Sequence, residues 1–227
     1  MEEIIIISLG GSLIVPDEID VIFLKEFKTL ILSHVVQGKK FVIITGGGKI
    51  CRKYQNAAKE VSQLSDYDLD WIGIHSTRFN AEFFRSLFNK QYIEKEIIIN
   101  PTLPINFTKS IVIGAGWEPG NSTDLGAILI SKAVGAKKVI NLSNTDYVYD
   151  SDPKINPTAK KIEKILWKDY RVLIPKEWSP GLNTPFDPVA SKIAEENGVE
   201  VVIMNGKPVD NLANYLNGKK FLGTIIS

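Results

Sequence analysis

Five short apolar runs, too continuous to alternate between a wet face and a dry one, decide the fold class. Ile4–Ile7 with Leu9, Phe41–Ile44, Ile111–Ile113, Lys138–Leu142 and Val199–Ile203 each read as a strand covered on both faces. Between them the apolar residues fall at helical spacing. Ile22, Phe23, Phe27, Leu30, Ile31 and Val35 form one such set, stopped by Gly38. Further helices are expected from Lys49 to about Val61, from about Asp68 to Phe88, and through Leu125, Ile128, Leu129 and Ala133 up to Gly135. Asp187 with Pro188 opens another that runs to Asn197, and Pro208–Leu216 is the last. Ile97–Ile99 and Phe221–Ile226 read as additional strands, Lys160–Ile174 is mixed, and Pro175–Pro188 is turn-rich. Buried strands alternating with helices predict an α/β, three-layer α/β/α sandwich with a mainly parallel central sheet. The chain reads as one domain over residues 1–227, with two lobes meeting near residue 145.

Composition narrows the function. Lys and Arg nearly cancel Asp and Glu, leaving a net charge of +1, so no basic excess points to nucleic acid. Cys51 is the only cysteine, which excludes an intrachain disulfide and a thiolate metal cluster. His34 and His75 are the only histidines and form no HExxH motif, and no metal site is expected. The apolar start at Ile4–Ile7 follows two glutamates and is too short to span a bilayer, so neither a leader nor a membrane partner is expected and the protein is read as cytoplasmic.

Three of the strands run into glycine turns: Gly10-Gly11-Ser12, Gly46-Gly47-Gly48 and the stretch from Gly114 to Thr123. In a parallel sheet such turns share the carboxyl edge, where ligands bind, and glycine lets backbone amides approach an anion. The third turn leads into a helix with Thr123 as its expected N-cap and Asp124 in its first turn. Asp124 either complements its own helix dipole or organises cations around a transferring phosphoryl group, and spacing leaves both open. The fingerprints GxxxxGK[ST], GxGxxG and GxSxG are all absent, against a P-loop ATPase, a dinucleotide-binding dehydrogenase and a serine hydrolase.

Seven motifs in fixed order resemble the amino acid kinase family, and within it the archaeal-type uridylate (UMP) kinases. They are LGGS at Leu9–Ser12, TGGGKICRKY at Thr45–Tyr54, DWIGIHSTRFNA at Asp70–Ala81 and PGNSTD at Pro119–Asp124. NTDYVYDSDP at Asn144–Pro153, FDPVASKI at Phe186–Ile193 and GTII at Gly223–Ile226 complete the set.

The resemblance implies an acceptor-binding lobe of about residues 1–142 and an ATP-binding lobe of about 143–227. It further implies transfer of the ATP γ-phosphoryl group to UMP, with Mg²⁺, in pyrimidine nucleotide synthesis. Gly10, Gly11 and Ser12 would hold the transferring phosphates. Gly46, Gly47, Gly48 and Arg52 would hold the UMP phosphate, Asp70 the ribose and Thr123 the uracil. Asn144, Tyr149, Asp152 and Pro153 match the loop around the ATP base and ribose. Small-molecule nucleotides are the implied partners, and the implied assembly is a homo-oligomer, a hexamer. Cys51 and His75 are expected only to pack, and Trp71, Ile74, Phe83 and Phe84 to form a core stripe.

Three positions depart from the family pattern. Ser8 stands where many members carry lysine, Tyr147 replaces a glycine of the nucleotide loop, and Trp117 is bulky for a nucleobase turn. With no lysine at position 8, Lys49 is the candidate for the missing cation. Another small-molecule phosphate or carbamate kinase of this fold, and a non-catalytic nucleotide- or oxyanion-binding member, stay open as alternatives.

Overall fold

A computed structural model describes residues 3–105, 107–177, 182 and 184–227. The apolar runs pair side by side in one sheet. Ile4–Leu9 (β1) lies between Lys40–Thr45 (β2) and Lys138–Ser143 (β4), parallel to both. Ile111–Gly114 (β3) extends the sheet beyond β2 and Glu200–Asn205 (β8) beyond β4, again in parallel. Thr224–Ile226 (β9) then runs antiparallel to β8, and Lys164–Ile165 (β7) pairs with β9, completing the order β3-β2-β1-β4-β8-β9-β7. Val148–Tyr149 (β5) and Lys161–Ile162 (β6) form a separate antiparallel pair.

Strand side chains alternate between two cores. Ile5, Ile7 and Leu9 of β1, with Phe41 and Ile43 of β2, face helices Val21–Val36 (α2), Asp66–Ser86 (α4) and Val209–Leu216 (α8). Ile6, Val42 and Ile44 face Thr123–Ala133 (α5), Trp167–Leu173 (α6) and Pro188–Glu196 (α7). Burial on both faces is why these strands carry no polar alternation, each isoleucine adding about 1.5–3 kcal/mol. Buried polar residues interrupt the runs at Ser8 in β1 and Asn141 in β4, both on the α5 side, and at the strand ends Thr45 of β2 and Thr224 of β9. A single helical turn, Gly11–Ile14 (α1), follows β1, and Gly48–Val61 (α3) packs outside α4 with no fully buried side chain.

Several boundaries differ from expectation for local reasons. α4 begins at Asp66 because Ser65 and Asp68 form a capping box, with Ser65 Oγ accepting from the Asp68 N–H at 3.2 Å. Ile97–Ile99 is no strand: only Ile98 bridges to Gly114, and Pro101 and Pro104 beyond it have no N–H for a ladder. The terminal strand shortens to β9 because the Asn211 amide takes both backbone groups of Leu222, at 2.7 and 2.8 Å. The mixed stretch from Lys160 to Ile174 resolves into β6, β7 and α6. Asp187 and Pro188 open α7 as expected. Within the turn-rich passage 175–188, residues 178–181 and 183 lie outside the described residues. No helix among the described residues is long and apolar enough to cross a membrane.

Candidate active site

From β1 the chain first turns to β2 and β3 on one side, then later returns to β4 and β8 on the other. Reversal of strand order opens a crevice at the carboxyl ends of β1 and β4. The glycine turns after β1 and β2 meet there, backbone against backbone. Gly10 N–H donates to Leu142 O at 2.7 Å and Gly46 N–H to Leu9 O at 2.9 Å. A Cβ on Gly11 would lie 2.2 Å from Gly48 N, and Gly48 itself has φ +71°, so neither position accepts a side chain. Asn80, buried in α4, secures the second turn by donating from Nδ2 to Gly46 O at 2.8 Å and Gly47 O at 3.2 Å. Ser12 is half-buried in α1 beside them.

Asp124 lies in the first turn of α5, directly over this crevice. The N-cap of α5 is Ser122, not Thr123: Ser122 Oγ accepts from the Leu125 N–H at 3.1 Å, leaving Thr123 as the first helical residue. Ser8 Oγ–H donates to Asp124 Oδ1 at 3.0 Å, and Asn141 Nδ2 donates to the same oxygen at 3.1 Å. The Asp187 N–H approaches Asp124 Oδ2 at 3.3 Å. Buried Tyr170 fixes that backbone, donating to Phe186 O at 2.9 Å and accepting from Phe186 N–H at 2.8 Å. Burial, and then the nearby charge of Asp187, push the Asp124 carboxyl up to about 7, against the opposing pull of its Ser8 and Asp187 hydrogen bonds. Asp187 is raised too, by its own burial, while its side chain caps α7 through the Ala190 N–H at 2.6 Å.

On the β2–β3 side, Asp70 of α4 accepts from the Gly120 N–H at 2.8 Å, tying α4 to the third glycine turn. Desolvation is the main reason its carboxyl is raised. Arg78 braces the same turn through Gly116 O at 3.2 Å and Trp117 O at 2.7 Å, its guanidinium 5.7 Å from the centre of the Trp71 ring. Thr77 Oγ1 accepts from the Gly116 N–H at 2.7 Å. Arg52 is exposed on the opening turns of α3. Lys49 pairs with Asp17 Oδ2 at 2.8 Å, and Cys51 is half-buried with burial raising its thiol. His75 is exposed, its ring 5.6 Å from that of Trp71. Of the expected core stripe, Ile74 and Phe84 are buried while Trp71 and Phe83 are only partly so.

On the β4–β8 side, a cavity of about 480 Å³ is lined by Asn144, Tyr149, Asp152 and Pro153, together with Tyr147 and Thr184. Its mixture of aromatic walls and a few polar groups suits a base and ribose. Tyr147 has its ring buried, 4.8 Å from Lys161 Nζ and edge-on to Tyr149. A larger cavity of about 670 Å³ lies at the amino edge of the sheet, between Lys39, Lys137 and Tyr215, and touches none of the three glycine turns. Size alone would favour it, but the convergence of turns, carboxylate and strand switch favours the carboxyl edge. Among the described residues no three His, Cys, Asp or Glu side chains converge to hold a metal. A divalent cation in the crevice would therefore depend on ligand oxygens, with Asp124 the carboxylate the crevice offers.

Sequence reasoning missed Asn141, Tyr170, Asn80 and Arg78, and read Asp187 only as a cap. Asn141 left a signal, a lone amide inside the apolar run Lys138–Leu142. The others do not stand out from ordinary helix residues. A model of the amino acid kinase family matches residues 3–205. The chain is 32% identical over 224 residues to a uridylate kinase of Thermococcus kodakarensis, covering 98% of each chain. It is 37% identical over 188 residues to one from Staphylothermus marinus, covering 82% of this chain and 84% of that one. The crystal structure of uridylate kinase from Archaeoglobus fulgidus superposes with a TM-score of 0.82 at 29% identity, covering 99% of this chain and all of that one. With fold, motif order and full-length similarity in agreement, the chain belongs to the amino acid kinase family.

Proposed function

We propose that the protein transfers the γ-phosphoryl group of ATP to UMP, giving ADP and UDP. A UMP phosphate oxygen bonds to the γ-phosphorus as the bond from that phosphorus to the β–γ bridging oxygen breaks, and the electron pair leaves on ADP. Such a reaction asks a protein for alignment and charge compensation more than covalent help. The observation that carries the reading is the Asp124 carboxylate, held by Ser8, Asn141 and the Asp187 main chain between a glycine-turn half and a cavity half. The uridylate kinases at 32% and 37% identity favour UMP as the acceptor.

In this reading Gly10, Gly11 and Ser12 hold the transferring phosphates, Gly11 and Ser12 as donors and Gly10 by shaping the turn, since its own N–H goes to Leu142 O. Gly46, Gly47 and Gly48 cradle the UMP phosphate, and Arg52 clamps it with a bidentate fork. Asp70 holds the ribose and Thr123 contacts uracil. Asn144, Tyr149, Asp152 and Pro153 enclose the ATP base and ribose. Lys49, released from Asp17, supplies cationic charge near the reacting phosphates. Mg²⁺ neutralises the nucleotide phosphates when bound, and Asp124 orients the donors around them. Assembly into a hexamer of identical chains is part of the same reading.

ADP formation from ATP should be measured with UMP, CMP, dUMP, isopentenyl phosphate and carbamate. UMP should exceed every other acceptor in kcat/KM by about a hundredfold or more, because a site that hydrogen-bonds its acceptor leaves polar groups unpaired with the wrong one. Preference for a different acceptor, or ATP binding without turnover on any of them, would overturn the assignment.

A further inference from the structure

Two ion pairs pin the loop that follows α1. Asp17 pairs with Lys49 at 2.8 Å, at the start of α3, and Asp20 pairs with Lys207 in the turn after β8. Both carboxyls are held below the usual range, chiefly by the hydrogen bond from their own lysine. Lys207 also lies 5.7 Å from the centre of the Phe23 ring. The two lysines come from opposite sides of β1, Lys49 from the β2 side and Lys207 from the β8 side.

The backbone brings Lys207 to the crevice. Gly206 N–H donates to Ser143 O at 3.0 Å, one residue beyond Leu142, whose carbonyl accepts from Gly10 at 2.7 Å. Gly206 also packs against Leu13 of α1, so the turn carrying Lys207 abuts the turn carrying Gly10, Gly11 and Ser12. Each lysine side chain is a little under half exposed, 46% for Lys49 and 43% for Lys207, and can swing on a flexible stem. Exposed ion pairs of this kind are weak, and a triphosphate offers a lysine far more negative charge than one carboxylate does. Ser8 provides none of the positive charge that two converging phosphates require.

We propose that Lys207 is a second phosphate-binding cation of the site, taking the polyphosphate of ATP, and that Asp20 holds it in place until the nucleotide displaces the carboxylate. Asp17 serves Lys49 in the same way on the acceptor side. The inference rests on the kinase reading for its ligand. Asp20 has a second job, accepting from the Phe23 N–H at 2.9 Å as the N-cap of α2, and Asn can keep that cap while losing the charge.

The test is calorimetric titration of Mg·ATP, at low ionic strength, into wild type, Lys207→Ala, Asp20→Asn and the double variant. Lys207→Ala should weaken ATP about tenfold, the loss of one charge-assisted contact, and leave UMP affinity unchanged. Asp20→Asn should tighten ATP about threefold, and that gain should vanish when Lys207 is also replaced, because neighbours sharing a partner are not additive. Lys207→Gln should reproduce the alanine result if alanine disturbs the turn. Unchanged ATP affinity in both Lys207 variants overturns the proposal, and so does a gain from Asp20→Asn that survives without Lys207. ATP binding that depends on Lys207, with no monophosphate phosphorylated, would sink the kinase reading and leave Lys207 its role. UMP turnover and ATP binding insensitive to Lys207 would do the reverse, and wild type that binds no ATP overturns both.

Discussion

Asp124 is a carboxylate whose neighbours disagree about its charge. Burial and Asp187 favour the neutral form, while Ser8 and the Asp187 N–H favour the ionised one, and the first two win by enough to place it at about 7. Two consequences differ in sign. For stability, the folded protein holds an extra proton between the ordinary value of 3.8 and about 7, so this contribution is present in full below 3.8 and lost as pH rises through about 7. Asp124→Asn should therefore melt higher than wild type at about pH 8, and that advantage should shrink steadily as pH falls from about 7 toward 3.8. In the proposed phosphoryl transfer the charged form is the useful one, so kcat/KM should fall as pH drops through about 7. The same variant should lose on the order of 10²–10³-fold in kcat while keeping its fold. Full activity with a flat pH profile would reduce Asp124 to complementing its helix dipole. Arg52→Ala should cost about 2–3 kcal/mol in kcat/KM for UMP and leave ATP binding intact. Parallel losses for both nucleotides, in separate titrations, would put Arg52 on the wrong ligand. The sequence announces Asp124 by its place after a glycine turn. Its partners were hidden because Ser8 lies 116 residues away in the chain, and only the pairing of β1 with β4 brings it to Asn141 and the start of α5.

Elements were legible where their signals are local. Asp187 with Pro188 marks the start of α7 because cap and fixed φ act within one turn. Between Ser122 and Thr123 the chemistry is equivalent, and only geometry chose the serine. Ile97–Ile99 had the composition of a strand, but a strand needs a partner along its length, which periodicity cannot supply. The glycine turns were legible as turns, yet their reason was not. Gly11 and Gly48 are glycines because two loops touch backbone to backbone, which the one-dimensional pattern does not contain. Gly11→Ala should destabilise the fold by about 3 kcal/mol, since the intruding Cβ meets main chain and not a movable side chain. Denaturant unfolding measures this, and an unchanged midpoint would mean that the two turns are not held together as described.

At the scale of the whole molecule, function follows from where the strand order reverses. A net charge of +1 supplies no global field to gather anions, so binding must come from local groups. The groups proposed for it lie on both sides of β1: Arg52, Lys49 and Asp70 on one, the Asn144–Pro153 cavity and Lys207 on the other, with Asp124 between them. The two-layered core and parallel sheet could be read from the apolar runs, while the carboxyl-edge crevice required the strand order. A crystal structure with a bisubstrate analogue, uridine and adenosine joined by a polyphosphate, tests this arrangement most directly. Its uridine should lie between Asp70 and Thr123, its adenine among Asn144, Tyr149 and Pro153, and its phosphates against the Gly10–Ser12 and Gly46–Gly48 turns. An analogue seated instead in the amino-edge cavity between Lys39, Lys137 and Tyr215, or crossing the crevice with its two nucleosides exchanged, would contradict it.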